Sequence, residues 1–124
     1  MKLAAAERTE ARSVAEAFRA TALRFPDRPA LSPIGFSAGS PEATITYRQL
    51  DRVSEACSSA YFKKGQVVVV GVDEGRDLVA IELAAWKAGA AVCPFDLKKD
   101  PRSVAVLQRL HPDLVVLANR TFCS

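Results

Sequence analysis

The amino-acid sequence predicts an α/β fold of three layers, in which a largely parallel sheet lies between flanking helices and follows an N-terminal helix and β-hairpin. Two observations carry this prediction. From Gln66 onward, predicted strands alternate with predicted helices, an order typical of parallel sheets with right-handed crossovers. The 124 residues suffice for one domain, and 49% hydrophobic with 25% charged residues excludes a disordered chain.

The first predicted helix begins at a capping box, Ser13–Glu16. In this arrangement the Ser13 hydroxyl accepts a hydrogen bond from the Glu16 N–H, and the Glu16 carboxylate reaches back to Ser13. Apolar residues at helical spacing then share one face: Val14, Phe18, Ala22 and Phe25. Pro26 ends the helix, because a proline disfavours the helical conformation of the residue before it.

Two short strands are predicted after this helix. The first spans Arg28–Ser32, and the second spans residues 43–46, which alternate and are β-branched. Between them, residues 33–42 hold two Pro, two Gly and two Ser, a composition typical of a loop. We therefore expect a hairpin with an unusually long connection.

A second capping box, Thr46–Gln49, predicts the start of the next helix. The apolar stripe of this helix consists of Leu50, Val53, Cys57, Ala60 and Tyr61. Lys63 and Lys64 place cations at its negative terminus, and Gly65 suits a left-handed cap.

The middle of the chain predicts buried strands around a buried helix. Gln66–Val72 is nearly all valine, as expected of a strand covered on both faces. Asp77–Ala88 is apolar almost all round, so this helix is expected to be buried on more than one side, with Trp86 in the core and Gly89 as its cap. Ala90–Cys93 predicts a further buried strand, stopped by the proline that follows.

The last predicted elements are a helix and a strand. Asp100 followed by Pro101 is typical of an N-cap with proline at the first helical position. The inner face of this helix consists of Val104, Leu107 and Leu110. The helix ends at His111, and Asp113–Leu117 predicts the final strand.

Charge and cysteine content restrict the partners and the compartment. A total of 17 Lys and Arg against 14 Asp and Glu leaves a net charge of +3, too small and too scattered to indicate nucleic-acid binding. Charged residues break every apolar run before bilayer length, so no membrane span is predicted. The three cysteines, Cys57, Cys93 and Cys123, form no CxxC pair, and residues 1–6 lack a secretory pattern, so we expect free thiols and a cytoplasmic protein.

The glycines at Gly71 and Gly75 lie between a predicted strand and a predicted helix, where a phosphate can bind at a helix N-terminus. However, this segment lacks the GxGxxG and Walker patterns. Asp73, Glu74 and Asp77 would also repel a phosphate. The sequence therefore predicts an ordinary strand-to-helix turn.

Other chemically active side chains have structural explanations. His111 precedes a proline at a helix end, where a cation stabilises the terminus. The carboxylates of Asp96 with Asp100, and of Asp73 with Asp77, flank helix starts, where acidic residues act as caps. We therefore expect no catalytic, cofactor-binding or metal-binding residue in this chain.

Two segments carry a family resemblance. Ile45–Leu50 resembles the first core motif of adenylate-forming enzymes, L-T-Y-x-E-L. Trp86–Asp96 resembles their second motif, L-K-A-G-x-x-x-x-P-x-D. Phe25–Leu31 and Asp113–Leu117 resemble the segments that flank these motifs, so the resemblance covers residues 13–117.

This superfamily includes acyl-CoA synthetases, luciferases and the amino-acid adenylation domains of peptide synthetases. The ending Pro94–Asp96 is more similar to the amino-acid-activating branch. The resemblance implies activation of a carboxylate by ATP to an acyl-adenylate, with release of pyrophosphate and later attack by a thiol. It also implies Mg²⁺, which neutralises phosphate charge, and a stabilising lysine in a separate C-terminal domain.

The chain departs from the family pattern in three respects. The turn at Gly65 is shorter than usual, the loop 33–42 is longer, and the sequence stops before the phosphate loop, pocket motifs, hinge and catalytic lysine. We therefore expect an N-terminal segment of an AMP-forming ligase that is inactive alone, with ATP and Mg²⁺ needed only by a full-length parent enzyme. In this interpretation residues 1–12 are an extension, 13–118 a partial AMP-binding (adenylation) domain and 119–124 a tail.

The resemblance also implies partners. A partial sheet exposes an edge, which could pair with the remainder of an adenylation domain or with a full-length relative. The same edge could drive oligomerisation or aggregation. The alternative is a non-catalytic interaction or regulatory protein derived from this half-domain.

Overall fold

The structure, a computed structural model, describes residues 12–32, 44–72 and 75–117. Its elements in chain order are α1 (Val14–Arg24), β1 (Pro29–Leu31), β2 (Ile45–Thr46), α2 (Tyr47–Tyr61), β3 (Val67–Gly71), α3 (Arg76–Ala88), β4 (Ala91–Pro94), α4 (Ser103–Leu110) and β5 (Leu114–Leu117). They fall into two units, Met1–Val53 and Ser54–Ser124, and the division lies within α2. None of the helices in the described ranges is long and apolar enough to cross a bilayer.

Helix α1 begins as predicted at Ser13, whose Oγ accepts a hydrogen bond from the Glu16 N–H at 3.1 Å. The other half of the predicted capping box is wrong. The Glu16 carboxylate accepts from the Arg12 N–H at 2.7 Å rather than from Ser13. The backbone of Ser13 is extended, with φ −152° and ψ 166°, and this brings the preceding N–H within reach of the carboxylate.

The apolar face of α1 is buried over only part of its length. Ala22 is 4% exposed, and Phe18 and Phe25 are half-buried. The Phe18 ring packs at a tilt against the ring of Tyr47, with centroids 5.8 Å apart. Val14 lies one turn before that contact and is 62% exposed, so its predicted burial is wrong.

The two predicted hairpin strands pair antiparallel as β1 and β2, which confirms this part of the fold. Pro29 lies opposite Thr46 and Leu31 opposite Ile45, with an irregularity in register between them. The predicted connecting loop lies outside the described residues, which resume at residue 44.

The second capping box is confirmed in both halves. Thr46 Oγ1 accepts a hydrogen bond from the Gln49 N–H at 3.2 Å, and Gln49 Oε1 accepts from the Thr46 N–H at 2.8 Å. The Arg48 N–H donates to the Pro26 carbonyl at 2.9 Å, so a further donor of the first turn is satisfied. The Arg48 guanidinium also lies 3.0 Å from the Asp27 carboxylate.

The predicted apolar stripe of α2 is wrong in phase by about one residue. The fully buried residues of the helix are Leu50, Ser54 and Ser58. Three members of the predicted stripe are exposed: Val53, Ala60 and Tyr61. Serine is small enough to let packed backbones approach, and no buried side-chain nitrogen or oxygen in the described residues lacks a hydrogen-bond partner.

Helix α2 ends at Tyr61, before the predicted glycine cap. Gly65 has a φ of +85° and is the third residue of a turn in which the Gln66 N–H donates to the Lys63 carbonyl at 3.3 Å. A positive φ at this turn position favours glycine. The left-handed glycine that the sequence predicts therefore shapes the entry to β3 rather than the end of the helix.

The second unit contains a three-stranded parallel sheet in the order β4-β3-β5. The valine-rich strand β3 is central, as predicted, and its residues Val68, Val69 and Val70 are at most 1% exposed. Val68 lies opposite Val92 of β4 and Leu114 of β5. Because side chains alternate between the faces of a strand, burial of three successive valines means that β3 is covered on both faces.

Helix α3 packs on one face of this sheet. The buried core cluster comprises Phe62, Val68, Val70, Ala84, Ala85 and Ala90. Gly89 ends the helix at a φ of +87°, as predicted, and its N–H donates to the Ala85 carbonyl. Trp86 follows the sheet-facing alanines by one helical position and is 37% exposed, so its predicted place in the core is wrong.

Helix α4 begins at Ser103, two residues after the predicted start. Its predicted inner face is wrong at both ends, because Val104 is 68% and Leu110 38% exposed, although Leu107 is half-buried. No residue of α4 is fully buried. Apolar spacing identifies the side of a helix that can be buried, but burial also needs an opposing surface.

Strand β5 begins with a reciprocal contact to β3. The Asp113 N–H donates to the Val67 carbonyl at 2.8 Å, and Asp113 Oδ2 accepts from the Val67 N–H at 2.7 Å. The predicted final strand is therefore confirmed as a parallel partner of the central strand.

Candidate functional site

The carboxyl ends of parallel strands are the usual ligand-binding edge of an open α/β sheet. At this edge Gly71 ends β3, and two leucine side chains fill the space beside it. A Cβ on Gly71 would lie 2.9 Å from Leu97 Cδ1 and 3.0 Å from Leu117 Cδ2. This glycine therefore serves close apolar packing. Residues 73 and 74 of the predicted turn lie outside the described residues.

The segment after β4 brings two candidate carboxylates into one turn. Asp96 Oδ1 accepts a hydrogen bond from the Lys99 N–H at 3.2 Å. The Asp100 carboxylate accepts from the Arg102 backbone N–H at 2.9 Å, from its Nε at 3.0 Å and from its Nη2 at 2.8 Å. Both carboxylates thus stabilise the turn that leads into α4, but the prediction that Asp100 is the N-cap is wrong, because the N-cap is Arg102 and no side chain caps the helix.

We expect the contact with Arg102 to show in the titration of Asp100. Hydrogen bonds from the Arg102 side chain, and then from its backbone N–H, lower the pKa of Asp100 from 3.8 to about 2. Because the folded-state pKa lies below the unfolded value, the stabilisation is present above about pH 4 and is lost as the pH falls through about 2. Carboxyl ¹³C NMR should place the midpoint of Asp100 near 2, and Arg102→Ala should raise it. A midpoint that Arg102→Ala leaves unchanged would contradict this assignment.

The first motif, Ile45–Leu50, serves packing. Ile45 is 8% exposed and Leu50 is 2% exposed. Between them, Thr46 and Gln49 form the reciprocal cap of α2. Tyr47 contributes its ring to the contact with Phe18. In the described structure these side chains hold a strand against a helix start within the first unit.

The second motif holds the turn from α3 into β4. The Lys87 side chain is only 7% exposed, and its Nζ lies 3.4 Å from the Glu55 carboxylate. At Gly89, an added Cβ would lie 3.2 Å from Lys64 Cγ. Ala90 then enters the core. The Lys87–Glu55 pair could not be predicted from the sequence, because no local pattern connects positions 32 residues apart in the chain.

Two of the three thiols and the single histidine lie in the described residues. Cys57 and Cys93 are half-buried free thiols, and burial raises the pKa of Cys57, which keeps that thiol protonated at neutral pH. Cys123 lies outside the described residues. His111 ends α4 at a φ of +47°, and its N–H donates to the Leu107 carbonyl at 3.1 Å.

ATP and Mg²⁺, which the resemblance implies for a full-length enzyme, need phosphate-binding donors and available carboxylate oxygens. Within the described ranges, no group of three or more His, Cys, Asp or Glu side chains could hold a metal ion. Arg102 neutralises Asp100, and leucines fill the space beside Gly71. Asp100 and Gly71 are therefore not arranged to bind Mg²⁺ or the phosphates of ATP.

The family model for AMP-binding enzymes matches residues 18–120. This chain belongs to the AMP-binding enzyme family. It is 31% identical over 100 residues to the nonribosomal peptide synthetase sirP of Leptosphaeria maculans, and the alignment covers 78% of this chain but 4% of sirP. The family resemblance that the two motifs predict is therefore confirmed.

Solved structures of adenylation domains share the fold. NpsA-ThdA, an artificially fused adenylation–PCP di-domain from Klebsiella oxytoca, is 25% identical to this AMP-binding chain with a TM-score of 0.72. The alignment covers 89% of this chain and 20% of the NpsA-ThdA chain. The NpsA N-terminal subdomain in complex with anthranilyl-AMSN is 26% identical with a TM-score of 0.68, and the alignment covers 89% and 31% of the two chains. The chain thus spans less than a third of these relatives. The predicted fold, part of the N-terminal domain of an adenylate-forming enzyme, is confirmed.

Proposed function

We propose that this chain is the first part of the N-terminal subdomain of an ATP-dependent adenylation domain, and that its own contribution to the reaction is structural. The observation that carries the proposal is the role of the two motifs. Leu50 is buried, Lys87 forms an ion pair and Gly89 ends a helix, so each has a structural role. The chain alone would then form no acyl-adenylate.

The proposed acid is an amino-acid-type carboxylate. Support comes from the similarity to the peptide synthetase sirP and to NpsA, whose subdomain was solved with anthranilyl-AMSN. ATP and Mg²⁺ would be bound by the parts of the domain that this chain does not match. Which acid is activated would likewise depend on those parts.

The proposal keeps the division of the chain that the motifs imply. Residues 13–118 form the partial adenylation domain, with an extension at 1–12 and a tail at 119–124. The family match over 18–120 lies within the proposed domain except for residues 119 and 120 of the proposed tail. The free thiols of Cys57 and Cys93 support the cytoplasmic location that we propose.

A chimaera tests the structural role. In it, the region of Klebsiella oxytoca NpsA similar to this chain is replaced by residues 18–120. We expect ATP–pyrophosphate exchange with anthranilate by the chimaera, because the pocket remains that of NpsA. We expect no exchange, with any carboxylate, by the 124-residue chain alone.

A chimaera carrying Gly89→Val is the matched control. This change alters the motif turn and leaves the NpsA pocket untouched, so exchange should be lost together with cooperative unfolding. Exchange by the chain alone would show that it holds an active site and would contradict the proposal. A chimaera that folds cooperatively but exchanges no pyrophosphate would contradict it as well.

The alternative function is a non-catalytic protein that binds a full-length relative. The exposed side chains of Val115 and Leu117 on β5 favour an interaction surface. In this case the 124-residue chain would be a stable, monodisperse protein that alters the exchange rate of the relative without replacing any part of it. Size-exclusion chromatography with light scattering, combined with the exchange assay, separates the two functions.

A further inference from the structure

Two arginine side chains of the first unit lie against one aromatic ring. The guanidinium carbon of Arg28 lies 4.2 Å from the centroid of the Phe25 ring, and that of Arg24 lies 5.1 Å from it. Both arginines are exposed, whereas Phe25 is half-buried. A cation–π contact holds each guanidinium in place, so less rotamer freedom is lost when its N–H groups bind an anion. Arg24, Phe25 and Arg28 are called the Phe25 surface below.

The acidic residue within this segment does not neutralise Arg28. The Asp27 carboxylate instead pairs with Arg48 Nη2 at 3.0 Å. Within the described ranges, no carboxylate forms an ion pair with the Arg28 guanidinium. Arg28 is therefore available to a carboxylate of a binding partner, with the positive charge of Arg24 beside it on the same ring.

The spacing of the two arginines suits two carboxylates of one extended peptide. The two guanidinium carbons are no farther apart than their distances from the ring centroid added together. Alternate residues of an extended chain are about 7 Å apart, which is within this limit, and their side chains point to the same side. Arginine also binds a carboxylate through two parallel N–H groups, which adds geometric selectivity to the charge.

We propose that the Phe25 surface binds an acidic segment of another protein, whose carboxylates at alternate positions of an extended chain contact Arg24 and Arg28. Leu23 precedes Arg24 in α1 and is 71% exposed, so such a segment also meets apolar surface. The site is independent of the proposed function, because none of these residues lies in either family motif.

A protein segment is favoured over a nucleic acid as the partner. Single-stranded nucleic acids stack their bases on aromatic rings, but the Phe25 ring is half-buried and in contact with two guanidiniums. A phosphate backbone needs an extended positive surface, whereas the exposed carboxylate of Asp27 lies in this segment and the net charge of the chain is only +3. An acidic protein segment needs only the two arginines.

The test titrates the 124-residue chain into a short fluorescent peptide that has Glu at alternate positions and Ser or Leu between them. Fluorescence anisotropy at about 0.15 M salt measures binding, because screening at this ionic strength suppresses long-range attraction. We expect this peptide to bind and the same peptide with Gln in place of Glu not to bind. Arg28→Gln and Arg24→Gln should each weaken binding by about fivefold, the loss of one exposed ion pair.

Arg109→Gln is the matched control. Arg24 and Arg109 are both exposed arginines in the last turn of a helix, and each variant loses one positive charge. The Arg109→Gln protein should therefore bind the peptide like wild type. If a variant of the Phe25 surface fails to fold, ¹⁵N NMR of the wild-type chain provides the same test. The amide signals of Phe25 and Arg28 should then shift on titration, and that of Arg109 should not.

Three results would overturn the proposal. Equal binding by the Arg24→Gln, Arg28→Gln and Arg109→Gln proteins would show that net charge alone attracts the peptide. Wild-type chain that binds the Glu peptide no better than the Gln peptide would exclude a carboxylate site. A single-stranded oligonucleotide, or vesicles containing phosphatidylserine, could bind more tightly than the Glu peptide and lose affinity in the same two variants. In that case the partner would be a nucleic acid or a membrane rather than an acidic protein segment.

Discussion

Val69→Asp is expected to unfold the second unit of the chain, Ser54–Ser124. Val69 is 0% exposed at the centre of β3. Burial raises the pKa of a carboxyl by up to about 3–5 units, and the resulting protonation costs about 4 kcal/mol at pH 7, because only the interval between the ordinary pKa of about 4 and pH 7 counts. Loss of valine burial adds about 2 kcal/mol. The sum is comparable with the roughly 5–15 kcal/mol by which a typical domain is stable.

The fluorescence of the single tryptophan, Trp86, measures this effect, because Trp86 lies in α3 of the same unit. Val115→Asp is the matched control: Val115 lies opposite Val69 in the register of β3 and β5 but is 42% exposed. Its cost should be near the roughly 0.5 kcal/mol typical of surface substitutions. If the Val69→Asp protein had the same free energy of unfolding as the wild type, the centre of β3 would not be buried in solution.

Features that depend on residues close together in the chain could be predicted from the sequence. The reciprocal cap of Thr46 and Gln49 is confirmed because both partners lie within one helical turn. Gly89 is left-handed as predicted, because few other residues can end a helix in that conformation. The central place of β3 follows from the run Val67–Val70, which no polar residue interrupts.

Features that depend on the opposing surface could not be predicted. The buried phase of α2 passes through Ser54 and Ser58, which are 0% and 7% exposed, whereas hydropathy favours Val53, which is 50% exposed. In α4, Val104 is exposed although its spacing is that of an inner face. Hydropathy measures only how strongly a side chain prefers to be buried. Whether it is buried depends on the surface that packs against its helix.

The motifs predict the family, but the residue types in them do not indicate the structural role of each side chain. Lys87 and Gly89 both lie in the second motif, and each contacts a residue outside it, Glu55 in one case and Lys64 in the other. The first contact is an ion pair and the second is close packing, and neither can be recognised in the motif sequence. The motifs therefore identify the AMP-binding family through residues that hold helices and strands in place.

Gly89→Ala is expected to lower the free energy of unfolding by about 2 kcal/mol, because a left-handed conformation costs a non-glycine residue about 1–2 kcal/mol. Gly89 has a φ of +87°, and an added Cβ would also lie 3.2 Å from Lys64 Cγ, closer than an ordinary van der Waals contact. The melting temperature should fall by about 8–16 °C, at roughly 4–8 °C per kcal/mol for a small domain. Calorimetry or Trp86 fluorescence measures the shift.

Gly65→Ala separates the two causes of this loss. Gly65 has nearly the same φ, +85°, but an added Cβ there would meet nothing within 4 Å. Its cost should be about 1 kcal/mol, from the backbone alone. In a Lys64→Ala background, which removes the Cγ contact, the cost of Gly89→Ala should fall to that of Gly65→Ala. Equal costs already in the wild-type background would mean that the Lys64 side chain moves aside freely, so that the motif requires glycine at position 89 for its backbone conformation and not for close packing.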